Sequence, residues 1–540
     1  MAGIMDVLSH DVLEIIFEEL RRCDSWAHYC EMRLLCKTSN DILEPQVFLK
    51  VTISFTEQNM DTVLDLLPRL ASGTTPHARW ARHLRVHKLV PLAEDGRSVW
   101  DHLKPGPNRE RSLACQNEWL VPAVKSLPRI EEVEFSASSR EPYHSVLSSL
   151  AELPQLRSLK VWFNHPFQPS SDVPLSQFSN LENIELHDVV LSMPILDGVK
   201  QLIANSPSLR KFAISKYRWS VNLSVPTPPF VEFDTVIDDL LRAATFTPTL
   251  KQLDIDVGGF HMDGSCIPFL NSLTHLNIRG LAHKGMSPSF WRGLKDSGIR
   301  LQGLAVRPMD TSFIDYLLSY DGLREITLDY TEYVPYGLDT DTVASRFFHS
   351  VAPHHRDTLQ EISFGCGGRE LWEAEGISPW IINESYLEPL MFCKSLEHLD
   401  LVYFYPSPNE KVHYPTVPLE VLFATISESL PRLQKLCLMH VRNFHKYKSG
   451  GHAYGVFYNK VSKAFTTHIR RSMYKCGKPL HFSLSAIGPS SVNSISTRYR
   501  ITVESDGLEE GGDEEDVSDS DADSIIDEDS DGYMGNSIFE

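Results

Sequence analysis

Few stretches of this sequence bring reactive side chains together. SFGCGGRE at 363–370 is glycine-rich, as a phosphate-cradling loop must be, but it lacks the Gly-Lys-Ser/Thr ending that grips phosphates and metal. It reads as a tight turn after a strand. His354 and His355 are adjacent, with no Cys or carboxylate placed beside them at ligand spacing, and read as a solvated loop pair. Cys366 and Cys437 fall within or just after predicted strands, without the His context that activates a nucleophilic thiol. Ser518, Ser520 and Ser524 each have Asp three residues on, the pattern of acid-directed phosphoacceptors, and each phosphate would add about two negative charges. These residues point to a chain that does no chemistry of its own and needs no cofactor or metal.

The elements that carry them are repetitive. An apolar residue, two variable ones, an apolar one, a variable one and another apolar one recur in eleven copies between 130 and 440. The copies begin with IEEVEF at 130, LRSLKV at 156, LENIEL at 181, LRKFAI at 209, LKQLDI at 250 and LTHLNI at 273. LQGLAV at 301, LREITL at 323, LQEISF at 359, LEHLDL at 396 and LQKLCL at 433 complete the series. Alternation at the end of each copy is the period of a strand with one buried face. Helical patterns such as 195–206, 236–244 and 418–430 lie between copies, and Pro128, Pro154, Pro207, Pro248 and Pro431 stop the preceding helix two residues before a copy. One strand and one helix per unit predict an α/β fold: parallel strands with helices on the outer face. The pattern resembles the leucine-rich repeat. The Asn usual in that family occurs here only at Asn164, so an irregular solenoid is expected.

In such a solenoid the variable positions of each strand face the concave side, where a partner binds. These positions hold Lys160, Trp162, Glu185, His187, Asp254, Asp256, Asn277, Arg279, Arg307, Thr327, Asp329 and Asp400. Trp162, an aromatic among polar residues, is the natural anchor, with packing against its neighbouring loop as the alternative. Mixed charge signs favour a protein or peptide over nucleic acid.

Ahead of the repeats lies a helical stretch of different character. Leu13, Ile16, Phe17 and Leu20 share one helix face with Val12 beside them, Ser9 is placed to cap it, and Asp11 suits its first turn. Met32, Leu34, Leu35 and Cys36 follow, then Ile42, Pro45, Val47 and Phe48. So short a module cannot bury all of this within itself. Leu8, Val12-Leu13, Ile16-Phe17, Leu20, Arg33-Leu34-Leu35-Cys36-Lys37 and Pro45-x-Val47-Phe48 together resemble the F-box, with Ser9 and Asp11 where that family has Pro and Glu. The resemblance covers residues 5–53. It implies a non-catalytic subunit of a cullin-RING (SCF-type) ubiquitin ligase: Leu8, Val12, Leu13, Ile16, Phe17, Leu20, Leu34 and Leu35 would bind a Skp-family adaptor, and through it a cullin and a RING subunit. The repeats would hold a protein substrate. The alternative is a repeat scaffold outside any ligase.

Composition completes the organisation. The net charge is −20, of which −16 falls in residues 504–540, where there is no Lys or Arg. That segment is too acidic and too poor in apolar groups to fold alone and is expected to be disordered. Between Glu428 and Glu504 there is no acidic residue but 13 Lys or Arg, and Phe457, Val461, Phe465 and Ile469 give a basic amphipathic helix. The expected plan is a module at 5–50, a solenoid over 51–503 with a basic cap at 441–503, and an acidic tail. Residues 93–112 read as an exposed loop. Nine scattered cysteines without CxxC pairs, no basic leader and no long apolar run predict a cytoplasmic or nuclear chain.

Overall fold

The computed structural model describes residues 12–13, 15–18, 30–56, 59–87, 89, 107–137, 143–163, 173–189, 193–216, 249–256, 262–279, 286–306, 311–329, 340–365, 382–404, 417–441 and 481–486. Each copy becomes a strand because its fourth and sixth residues are apolar and flank one that is polar or small. Leu159 and Val161, for example, are fully buried around half-buried Lys160. The strands are β1 (Lys50–Ser54), β2 (His83–His87), β3 (Glu132–Ala137), β4 (Ser158–Phe163), β5 (Asn183–Val189), β6 (Lys211–Lys216) and β7 (Gln252–Asp256). They continue as β8 (His275–Arg279), β9 (Gly303–Val306), β10 (Glu325–Asp329), β11 (Glu361–Gly365), β12 (His398–Phe404), β13 (Lys435–Val441) and β14 (His481–Ala486). All fourteen form one sheet in sequence order, each parallel to the next.

The helices that follow β1 pack on one face of this sheet, and a helix of the N-terminal module precedes it. They are α1 (Lys37–Val47), α2 (Met60–Ala71), α3 (Pro76–Trp80), α4 (Pro107–Cys115), α5 (Val121–Lys125), α6 (Tyr143–Ala151) and α7 (Met193–Ala204). Then come α8 (Pro288–Asp296), α9 (Thr311–Leu317), α10 (Thr340–Arg346), α11 (Glu384–Leu390) and α12 (Leu419–Ser429). From α2 onward, α3 excepted, their apolar residues join the inward strand residues in one core running from Val51 to Leu438. The prolines act as the sequence implies: Pro128, Pro154, Pro207 and Pro431 stand just beyond α5, α6, α7 and α12.

Register is held by a ladder at the strand starts. Twelve carbonyls, from Leu49 through Arg82, Glu131 and Arg157 to Glu397, each accept two N–H bonds of 2.7–3.1 Å from the next unit. The second residue of each copy supplies both the carbonyl and, in the early units, an alternating charge. Arg82 pairs with Glu131 at 2.9 Å, and Arg157 and Arg210 flank Glu182 at 3.5 and 3.7 Å. This is a leucine-rich-repeat solenoid.

Three sequence expectations need correction. The repeat begins before 130: Ala81, Leu84 and Val86 have the same spacing and form β2, with the small Ala81 hiding the pattern. Residues 107–112 are the first turns of α4, not loop, because Ser112 is buried with its hydroxyl donating to the Leu89 carbonyl at 2.7 Å. Of His354 and His355, only the first is solvated. His355 is buried and its Nε2 donates to the Leu317 carbonyl at 2.9 Å, while His354 reaches the Tyr320 carbonyl at 3.0 Å. Asn164, Cys366, residues 236–244, the basic segment around 457–469 and the acidic tail with Ser518, Ser520 and Ser524 lie outside the described residues.

Candidate functional site

The uncovered sheet face displays the third, fifth and seventh residues of each copy. Four side chains expected to bind a partner meet there at β4 and β5. Lys160 and Glu185 are directly paired across the two strands, as are Trp162 and His187. The Lys160 ammonium is 3.2 Å from Glu185 and 4.5 Å from the centre of the Trp162 ring, and the His187 imidazole stacks on that ring with centroids 5.4 Å apart. His187 also reaches Glu185 at 3.3 Å and the Ser215 hydroxyl at 3.1 Å. From β6, Lys211 closes the network 2.5 Å from Glu185. Hydrogen bonding from His187, then from Lys211, and the charge of Lys160 hold the Glu185 carboxyl far below the usual carboxylate range, against the opposing effect of burial.

Next to Trp162, β2 and β3 add Arg85, whose Nε donates to Glu134 at 3.1 Å, and the pair His83–Glu132 at 2.7 Å. A depression of about 130 Å³ opens here, lined by Arg85, Val86, His87, Glu134, Ser136 and Trp162.

A second cluster lies across β11 and β12. His398 donates Nδ1–H to Glu361 at 3.3 Å and Nε2–H to Asp400 at 2.8 Å, and Ser363 donates to Glu361 at 2.7 Å. With a carboxylate at each ring nitrogen, His398 is pushed up to about 9 and stays charged at neutral pH. The arrangement is no nucleophilic triad, since the Ser363 hydroxyl is committed to Glu361 and not to the imidazole. Asp400 was expected at this face; Glu361 and His398 were not. Both sit at the third place of their copies, where the period-2 rule also points outward.

The other expected residues are spread along the face. Asp254 and Asp256 lie on β7, Asn277 on β8 and Thr327 on β10, all half-buried. Arg279 and Asp329 occupy positions on β8 and β10, and Arg307 lies outside the described residues.

The module before β1 has its own small core: Leu13, Phe17, Ile42 and Leu43, with Met32 and Val47 packed against it. The structure therefore places Leu13 and Phe17 inside the module, where they tie the helical residues 15–18 to α1, rather than on its surface as expected. Cys36 caps α1, its sulfur accepting the Ser39 N–H. Val12, Ile16, Leu34 and Leu35 are exposed, and so is Ile15, which helical spacing alone passed over. Leu34 is 73% and Ile15 70% exposed, unusual for side chains of this size. Leu8 and Leu20 lie outside the described residues. Phe48 meets His77 of α3 edge-on at 4.7 Å and carries the Arg33 guanidinium on its face at 4.7 Å, which joins the module to the solenoid.

No family model and no curated protein matches the chain. Among solved structures it is similar to the yeast Rad7–Elc1 complex, with 15% identity over 80% of this chain and 88% of that one and a TM-score of 0.36. It is also similar to a TLR13–ssRNA13 complex, with 14% identity over 70% of this chain and 49% of that one and a TM-score of 0.30. A leucine-rich-repeat protein of Leptospira interrogans matches with 12% identity over 58% of this chain and 86% of that one, again with a TM-score of 0.30. Among the described residues no helix is long and apolar enough to cross a membrane.

Proposed function

We propose that this chain is a non-catalytic substrate receptor of a cullin-RING ubiquitin ligase, acting in the cytoplasm or nucleus. The N-terminal module docks on a Skp-family adaptor, and the open sheet face holds a protein substrate. Catalysis is then by positioning: a tethered substrate lysine meets the ubiquitin-carrying enzyme at high effective concentration.

One observation carries this reading. The module buries a core of its own, separate from that of the solenoid, and still leaves Val12, Ile15, Ile16, Leu34 and Leu35 exposed. Five large apolar groups left exposed on so small a module suit a protein interface. The F-box resemblance of the same stretch names the class of partner.

The competing reading, a scaffold whose first helices only cap the repeats, draws support from the Phe48–His77 contact. A cap satisfies its apolar residues on the repeat beneath it, however, and these five are turned elsewhere. Co-purification separates the two. The full chain recovers a Skp-family adaptor, and Ile15→Asp or Leu35→Asp, at exposed positions that leave the small core intact, abolishes recovery. Failure of the unaltered chain to retain the adaptor at micromolar concentration sinks the ligase reading.

A further inference from the structure

The depression over β2–β4 has a construction that selects its occupant. Ser136, Trp162 and His187 are paired in register across β3, β4 and β5, and His87 lies one residue beyond the Val86–Phe135 pair, lining the same depression. Strands lie about 4.8 Å apart, so the two rings on either side of Ser136 are about 10 Å apart over a floor of one small side chain. His187 backs the Trp162 ring on the β5 side, and Trp162 in turn walls the depression. Its volume, about 130 Å³, is well under that of a small-molecule site and suits a single side chain. The natural ligand of such a slot is one residue of an extended protein segment.

Charge decides which residue. Around the carboxylates Glu134 and Glu185 stand three permanent cations, Arg85, Lys160 and Lys211, besides the imidazoles of His87 and His187. Glu132, one step along the strand, is matched by His83. Arg85 spends its Nε on Glu134, and its side chain remains 44% exposed, with the rest of the five-donor guanidinium fork available. A Lys or Arg entering the slot would face both Arg85 and the Lys160 ammonium already over Trp162. A carboxylate would instead find a charge-assisted, bidentate partner in Arg85, with its methylene stem against the indole.

We infer that the β2–β4 depression is a recognition subsite for a Glu or Asp side chain within an acidic, extended segment of a partner protein. The inference rests on the reading that the open face binds a protein, and narrows that partner to an acidic one. It does not depend on the adaptor surface, which lies on the separate module.

The test uses fluorescence anisotropy on the full chain with three labelled peptides of equal length: one Glu-rich, one with Gln at every Glu position and one with Lys there. The Glu peptide is expected to bind at least about tenfold more tightly than the other two. Arg85→Gln and Trp162→Ala should each weaken it by about tenfold, and Lys435→Glu, on the same face at β13, should leave it unchanged. Arg85→Glu should transfer preference to the Lys peptide, a result that loss of folding cannot mimic. Equal binding of the Gln or Lys peptide, or full affinity in Arg85→Gln and Trp162→Ala, overturns the proposal. Removal of residues 504–540 should change affinity less than about threefold. A larger gain would make the chain's own acidic segment the occupant and overturn the assignment to a separate partner. Adaptor recovery, measured on the same variants, should persist throughout, so loss of peptide binding alone refutes this subsite and leaves the ligase reading standing.

Discussion

The ring of Phe48 meets the ring of His77 edge-on, 4.7 Å from centroid to centroid and nearly perpendicular. With the Arg33 guanidinium on the Phe48 face, this contact couples two separately packed cores. Truncating it should release the module without disturbing the sheet. We expect Phe48→Ala to destabilise the packing of α1 by about 1–2 kcal/mol. Hydrogen exchange would read this as faster exchange over Lys37–Val47, with the amides of β5–β8 unchanged; equal acceleration in both regions would show that the module and solenoid unfold together.

His355 should make the protein acid-sensitive. Burial holds it near 4 against an ordinary value of 6.5, its Nε2 proton already committed to Leu317. The folded state therefore binds a proton less readily than the unfolded one, so this contribution is complete above pH 6.5 and is lost as pH falls from there toward 4, by about 3 kcal/mol at most. His77, lowered chiefly by burial and further by Arg69, acts in the same direction. Melting temperature should fall across this window, and His355→Gln should flatten the fall. An unchanged slope in that variant would locate the acid transition elsewhere.

His398 acts in the opposite sense. Raised to about 9 between Asp400 and Glu361, it is protonated more readily in the folded state. Its stabilisation is full below pH 6.5 and is lost as pH rises toward 9, on the order of 2 kcal/mol. Comparing melts of the unaltered chain and His398→Gln between pH 6 and pH 9 checks this, and NMR titration of the imidazole checks the value directly.

Trp291 anchors the middle of the helical layer. Fully buried in α8, it touches Phe290, Phe313 and Tyr316 at centroid separations of 5.3, 5.0 and 5.6 Å. Trp291→Ala should cost about 3–5 kcal/mol through lost contact and the cavity left behind. Denaturant unfolding measures it; a loss below about 1 kcal/mol would mean that α8 and α9 collapse into the space.

At the Glu185 hub, Glu185→Gln removes the anion that holds Lys160, Lys211 and His187 together. Two ammonium groups would then face each other, partly exposed to solvent. Stability should drop by about 1 kcal/mol, and more at low salt than at high salt. Denaturant melts at two ionic strengths separate this from simple loss of a hydrogen bond, which salt would not affect.

Much of the architecture was readable beforehand, and the reasons can be named. Copies such as LENIEL carry their own strand period, and Pro154 and Pro207 mark where helices stop, so local pattern sufficed for β3 to β13. It failed at β2 because Ala81 is too small to announce a repeat, and at His355 because adjacent histidines look polar whether or not a helical layer covers them. The module was legible as apolar and helical. Which of its residues turn inward was not: Leu13 and Phe17 share a helix face with Ile16, and only the position of Ile42 and Leu43 separates the buried from the exposed.

The amino-acid order alone determined the unit: an apolar spacing that makes a strand, a stop for each helix, and segments short enough that successive strands pair in parallel. Such facts are local, set by side-chain period and backbone stiffness over a few residues. Only the tertiary structure decided which polar groups meet. Lys160, Glu185 and Lys211 belong to three successive copies and come together because the ladder of paired carbonyls aligns the strand starts of successive units. Glu361 and His398 are joined in the same way. Contacts between units depend on stacking, and no single copy contains the information that brings them into reach.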